Sequence, residues 1–136
     1  MKNKFAVFDI DGTLIRWQLY HAVVDQLAQK GHLGLDAHER IHKERMTWKR
    51  REHVEAFSAY EKYLIELYEK ALGNINAIVF DDIAREVANE YKDQVYTYTR
   101  DMIIRLKREG YILLAVSGSH QELVEIVAKQ LSKKFN

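Results

Sequence analysis

Two aspartates one residue apart, Asp9 and Asp11, close a short apolar run and are followed by Gly12 and Thr13. Carboxylates this close repel each other, and both are costly to ionise unless a cation joins them. A hard divalent ion such as Mg²⁺ takes oxygen ligands, tolerates open positions and also binds phosphate. The chemistry this suggests is attack on phosphorus by Asp9, with Asp11 as general acid and then general base. The same residues also suit an Asx-type turn, since Asp and Gly are common turn formers. The apolar strand in front and the full Asp-x-Asp-Gly-Thr spacing favour the site over the turn.

A second group of small polar residues, Ser117-Gly118-Ser119, follows another apolar run, Tyr111 to Val116. A strand that hands over to a helix N-terminus presents free N–H groups and a favourable dipole to an anion. Ser117 would donate its hydroxyl to a phosphate oxygen, and Gly118 would let the backbone come close. Ser119 and Glu122 have the spacing of a capping box for the helix that follows. For Ser117 alone, a phosphate ligand and a plain capping role are equally good readings.

These residues need elements that hold them. Phe5 to Phe8 has the length and unbroken apolarity of a strand buried on both faces of a parallel sheet. Gly12 lets the chain leave it in a conformation that a side chain would resist. If Phe5–Phe8 and Tyr111–Val116 are parallel neighbours, both carboxyl ends lie on one sheet edge, where ligands of open α/β sheets bind. The middle of the chain reads as helix. Leu19, Tyr20, Val23, Val24, Leu27 and Ala28 share a face, with Gly31 ending the run. Asp36 is placed to cap a second helix, and Phe57, Tyr60, Leu64, Leu67, Tyr68 and Ala71 form an amphipathic stripe stopped by Gly73. This aromatic spacing reads as helix packing rather than a ligand cage. Asn76 can cap a further helix with Ile83, Val87 and Tyr91 inward. From Tyr98 the period is helical again, with Met102, Ile103 and Leu106 inward, a basic last turn and Gly110 to end it. Leu123, Ile126, Val127 and Leu131 give the last helix its buried face.

Phe8-Asp9-Ile10-Asp11-Gly12-Thr13-Leu14 resembles the first signature of the haloacid dehalogenase superfamily of aspartate-nucleophile phosphatases. Leu114-Ala115-Val116-Ser117-Gly118-Ser119 resembles the second, and the flanking Arg105 to Tyr111 and His120 to Val124 resemble the phosphoserine-phosphatase-like branch, subfamily IB. The resemblance implies an α/β fold, a Rossmann-like parallel sheet with an inserted helical cap. Residues 1–13 and 97–136 would form the core and residues 14–96 the cap. It further implies a Mg²⁺-dependent phosphomonoester hydrolase acting on a small phosphorylated metabolite. Asp9 would form an aspartyl-phosphate and Asp11 would move the proton. The Asp9 carboxylate and the Asp11 backbone carbonyl would bind the metal, while Ile10, Gly12, Thr13, Ser117 and Gly118 would hold the phosphate. His120 follows the phosphate loop and reads as a solvated residue at a helix start.

Relatives carry a lysine in a third signature and further acids in a fourth. Lys129, Lys133 and Lys134 come too early to match that lysine and read as cations at a helix C-terminus. The expectation is a truncated or fragmentary sheet with weak activity by itself, or an oligomer formed through an unpaired sheet edge.

Composition narrows the rest. The 136 residues carry 21 basic and 20 acidic side chains for a net charge of +1, so no global field calls for nucleic acid or an anionic membrane. With no cysteine there is neither a disulfide framework nor a thiolate metal site. No apolar stretch reaches transmembrane length, and the cytoplasm is the expected location. Arg40 to His53 is locally basic, but Glu44 and Glu52 interleave and mark a solvated helix face. Its sharper alternatives are a phosphate-attracting lid and, with Trp48 as a stacking residue, a nucleic-acid patch. A non-catalytic phosphate-binding or regulatory module stands beside the enzyme reading, and a phosphotransferase has the same residues.

Overall fold

The computed structural model describes residues 3–135. Two strands, β1 (Lys4–Asp9) and β2 (Tyr111–Val116), pair in parallel with Lys4 opposite Tyr111 and Asp9 opposite Val116. Six helices complete the described residues: α1 (Leu19–Gln29), α2 (Ala37–Lys49), α3 (Ala56–Asn74), α4 (Ala77–Tyr91), α5 (Thr97–Arg108) and α6 (Gln121–Lys134). This is a mixed α/β architecture, a short parallel sheet with a long helical insertion between its strands.

The chain divides into two compact units, Met1–Tyr20 with Ala84–Asn136, and His21–Ile83. The first contains the sheet. Its core is built from Phe8 of β1, Ile10, Leu14 and Ile15 of the loop that follows, Leu19 at the start of α1, Val87 and Ala88 of α4, Ile103 of α5, and Leu123, Val127 and Leu131 of α6. The α5 helix packs against β2. Burial of such side chains contributes on the order of 1.5–3 kcal/mol each.

The expectation that β1 is buried on both faces fails. Phe8 is buried, but Phe5 and Val7 are 56% and 62% exposed. On β2, the register partners Ile112, Leu114 and Val116 are exposed with them, Leu114 at 47% and Val116 at 58%. Period-2 alternation puts all five on one side of the sheet. On the opposite side Phe8 is buried, Ala6 and Leu113 are partly covered, and α5 packs against β2.

The second unit is helical. Its core comprises Val23, Val24 and Leu27 of α1, Ile41 of α2, Tyr60 and Leu64 of α3, and Phe80 and Ile83 of α4. The α2 and α3 helices pack together. The aromatic stripe of α3 is core: Tyr60, Leu64 and Ala71 are buried, and Tyr68 meets Phe80 at 6.2 Å between ring centroids. Trp48 stacks on Tyr60 at 5.5 Å and an interplanar angle of 15°. Its ring is therefore part of the α2–α3 packing.

The helix ends follow expectation at Asn76, Gly31 and Gly110 and depart from it at Asp36 and Gly73. Asn76 caps α4 through its side chain, accepting the Ile78 N–H at 2.9 Å. Asp36 stands at the N-cap of α2 without a side-chain bond. Gly73 does not stop α3, which runs through it to Asn74. The helix ends where Ile75 turns extended, with φ −97° and ψ 138°. Gly31 and Gly110 do take positive φ, 82° and 79°, where α1 and α5 terminate. No described helix is long and apolar enough to cross a membrane.

Candidate active site

The parallel register is what assembles the site. Asp9 faces Val116 across the ladder, and the Ile10 N–H donates to the Val116 carbonyl at 3.1 Å. The residues that follow each strand therefore emerge side by side: Asp11, Gly12 and Thr13 from β1, Ser117, Gly118 and Ser119 from β2. Gly12 takes φ 72°, the left-handed conformation that its position was expected to need. That turn is closed by the Gly12 N–H donating to the Trp17 carbonyl at 3.1 Å.

Asp11 is the hub. The Ser117 hydroxyl donates to its Oδ2 at 2.5 Å, and the Ser119 hydroxyl donates to its Oδ1 at 3.0 Å. The Leu19 backbone N–H donates to the same Oδ1 at 2.6 Å. Leu19 opens α1, so the carboxylate also satisfies one of the free amides at that helix start and meets its positive dipole end. Asp9 is different. Its side chain is exposed, and among the described residues no hydrogen bond or ion pair engages it.

Other expected site residues are placed as follows. Ile10 is fully buried and its N–H belongs to the sheet. Thr13 donates its N–H weakly to the Ile10 carbonyl at 3.4 Å, while its own carbonyl accepts the Thr99 hydroxyl at 2.9 Å. The loop around it is tied down further: Arg16 N–H donates to Gln94 at 2.9 Å and Tyr96 N–H to Leu14 at 3.1 Å. A Cβ added at Gly118 would meet nothing within 4 Å, so the front of the second loop is open.

The capping box expected of Ser119 and Glu122 is not formed. The N-cap of α6 is His120, with no side-chain cap bond. Ser119 turns its hydroxyl to Asp11 instead, and its N–H donates to Ser117 Oγ at 3.0 Å. Glu122 Oε2 instead lies 2.7 Å from His120 Nδ1. Sequence reasoning missed Ser119, Thr99 and the Leu19 amide as parts of this centre. The Ser-x-Ser spacing was visible, but the capping signature offered the second serine a closer partner.

A second polar cluster lies in the helical unit. Arg45 donates through Nη2 to both Asp25 oxygens at 2.5 Å and through Nε to the Tyr60 hydroxyl at 2.9 Å. Tyr60 in turn lies 3.4 Å from Nδ1 of the buried His21. Burial opposes the Arg45 charge, yet its bonds to Asp25 and Tyr60 prevail and hold its pKa above the ordinary arginine value. For Tyr60, burial pushes the phenol above its ordinary value against the lowering effect of Arg45. This network joins three helices and draws Arg45 into the packing, while Arg40, His42, Lys43, Lys49, Arg50, Arg51 and His53 of the basic stretch are exposed, as a solvated helix face requires.

The sequence model of haloacid dehalogenase-like hydrolases matches residues 6–135. The chain belongs to this family. Searches of curated proteins and of solved structures returned no match. Family membership agrees with the fold, a mixed α/β architecture with a two-stranded parallel sheet and six helices among the described residues.

Superfamily members generally use Mg²⁺. Asp9 and the main chain of Asp11 offer hard oxygen donors that suit this ion, which keeps several waters and needs only one or two carboxylates. The Asp11 carboxylate fits less well, since three donors already take its oxygens. Among the described residues, no group of three or more His, Cys, Asp or Glu side chains could hold a metal. These atoms would supply only part of the shell of Mg²⁺, the rest falling to water and phosphate.

Proposed function

We propose that this haloacid dehalogenase-like hydrolase is a Mg²⁺-dependent phosphomonoesterase of the phosphoserine-phosphatase-like branch, acting on a small phosphorylated metabolite. The observation that carries the reading is the bond from Ser117 to Asp11, which joins the two loops that the sequence pattern assigns to nucleophile and phosphate.

Asp9 stands free at the end of a rigid strand, as a nucleophile requires. Its carboxylate oxygen attacks phosphorus, and the bond from phosphorus to the ester oxygen breaks. The departing oxygen takes a proton from the Asp11 carboxyl. Water then gives a proton back to Asp11 as it attacks the aspartyl-phosphate, releasing inorganic phosphate and the free Asp9 carboxylate. The Ser117 hydroxyl, with main-chain N–H groups of the Gly118 loop, receives the phosphate oxygens. The Asp9 carboxylate and the Asp11 main-chain carbonyl would hold Mg²⁺, which when bound would supply positive charge to offset that of the phosphate. Positioning and charge stabilisation provide most of the rate in such chemistry.

Turnover is slow in this reading, because no ion pair among the described residues brings a cation to the Asp9 carboxylate, where the phosphoryl charge develops. Hydrolysis of p-nitrophenyl phosphate with Mg²⁺, compared between the native chain and Asp9→Asn, tests it. Expected is a slow, Mg²⁺-dependent hydrolysis that the substitution abolishes. Equal rates in both proteins would overturn the nucleophile assignment.

The tie-up of both Asp11 oxygens favours a second reading, a module that binds phosphate without turning it over. Phosphate binding by calorimetry with no hydrolysis by either protein would select it.

A further inference from the structure

Asp11 is held asymmetrically. Its Oδ1 accepts two donors, the Leu19 N–H at 2.6 Å and the Ser119 hydroxyl at 3.0 Å. Its Oδ2 accepts one, the Ser117 hydroxyl at 2.5 Å. Ser119 also fixes Ser117, donating its N–H to Ser117 Oγ at 3.0 Å. The two serines are thus not equivalent. Ser117 is the group that a phosphate oxygen would compete for, and turning its hydroxyl to phosphate frees Oδ2 alone. Oδ1 keeps both of its donors throughout.

From this asymmetry we infer that Ser119 is a positioning residue for the general acid: it anchors Asp11 through Oδ1, so that Oδ2 is the oxygen that carries the proton to the leaving group. The arrival of phosphate then does two things in one motion. It is gripped by Ser117, and it uncovers the Asp11 oxygen that must act next. This assignment rests on the phosphatase reading above. A carboxylate anchored by one main-chain and one hydroxyl donor keeps its orientation, whereas one held by the amide alone can swing about its χ angles. Misplacement of a general acid affects the chemical step and leaves ester binding in place.

The test separates proton delivery from binding by leaving group. An alkyl phosphate needs its departing oxygen protonated; p-nitrophenolate departs without much help. For Ser119→Ala, kcat on a simple alkyl phosphate is expected to fall about tenfold with KM within about twofold. On p-nitrophenyl phosphate kcat should change less than about threefold. Ser119→Thr, which keeps the hydroxyl, should restore the alkyl rate. Equal losses on both esters, a rise in KM without a change in kcat, or no rescue by threonine would each overturn the assignment.

A thermal cycle reads the contact without activity. Asp11→Ala and Ser119→Ala are made singly and together, and melting temperatures are compared. The double variant should lose less than the sum of the single losses, as groups in contact do. Additive losses would overturn the assignment. Absence of turnover on both esters by the native chain, with non-additive melting, would sink the phosphatase reading while the Ser119–Asp11 anchor stands.

Discussion

Asp9 and Asp11 differ in how the fold treats them, although one residue separates them. Asp9 is exposed at the end of β1, while Asp11 accepts hydrogen bonds from Ser117, Ser119 and Leu19. Backbone geometry is the cause. Asp9 is the last strand residue, and the chain turns through Ile10 so that Asp11 points across to the β2 loop.

Substitution should therefore separate function from stability at these two positions. Asp9→Asn should abolish phosphatase turnover and shift stability by less than about 0.5 kcal/mol, as for an unpartnered surface group. Asp11→Ala leaves three donors without their acceptor and should cost about 1–3 kcal/mol. Urea unfolding of both variants, monitored by circular dichroism, checks the contrast. Equal stability losses would contradict the hub role of Asp11.

The Arg45 cluster is the structural counterpart in the helical unit. The Arg45 and Asp25 side chains are only 18% and 28% exposed. Arg45→Met removes the bidentate bond and the donor to Tyr60, leaving Asp25 uncompensated, and should destabilise by roughly 1–3 kcal/mol. Denaturant unfolding gives this directly. The double variant Asp25→Leu with Arg45→Met should recover part of the loss.

Tyr60 gives a pH dependence of known sign. Its folded pKa is raised above the ordinary 10.0, burial being the largest cause. The folded state then holds a proton that the unfolded chain gives up first. The resulting stability is complete below about pH 10 and declines as pH rises through the folded value. Thermal melts between pH 9 and 12 should fall less steeply for Tyr60→Phe than for the native chain. Parallel profiles would show that Tyr60 ionises alike in both states.

The uncovered side of the sheet should make the chain associate. Phe5, Val7, Ile112, Leu114 and Val116 form a contiguous apolar surface on a sheet whose two strands have no further partners among the described residues. Sedimentation velocity over a range of concentrations should show growing species. Val7→Lys with Leu114→Lys should return the chain to a monomer without loss of melting temperature. Monomeric behaviour of the native chain at high concentration would refute this.

Much of the design was legible in the residues. The Asp9-x-Asp11-Gly12-Thr13 spacing identified a strand end, and Gly12 occupies the positive φ it was expected to need. The inward faces of α1, α5 and α6 followed from 3.6-residue periodicity, and Leu123, Val127 and Leu131 are buried as that period requires. Local signals of this kind depend on neighbours in the chain, so the sequence alone determined them. The partners of Asp11 were decided otherwise. Ser119 lies 108 residues from it and had a nearer candidate partner in Glu122. Only the parallel register of β1 on β2 brought that hydroxyl within reach of Asp11. The covering of the sheet was likewise beyond local reading. An apolar run such as Phe5 to Phe8 states that burial is favourable, but what covers each face depends on the surrounding elements. Tertiary structure alone decided that Phe8 is buried while Val7 is exposed.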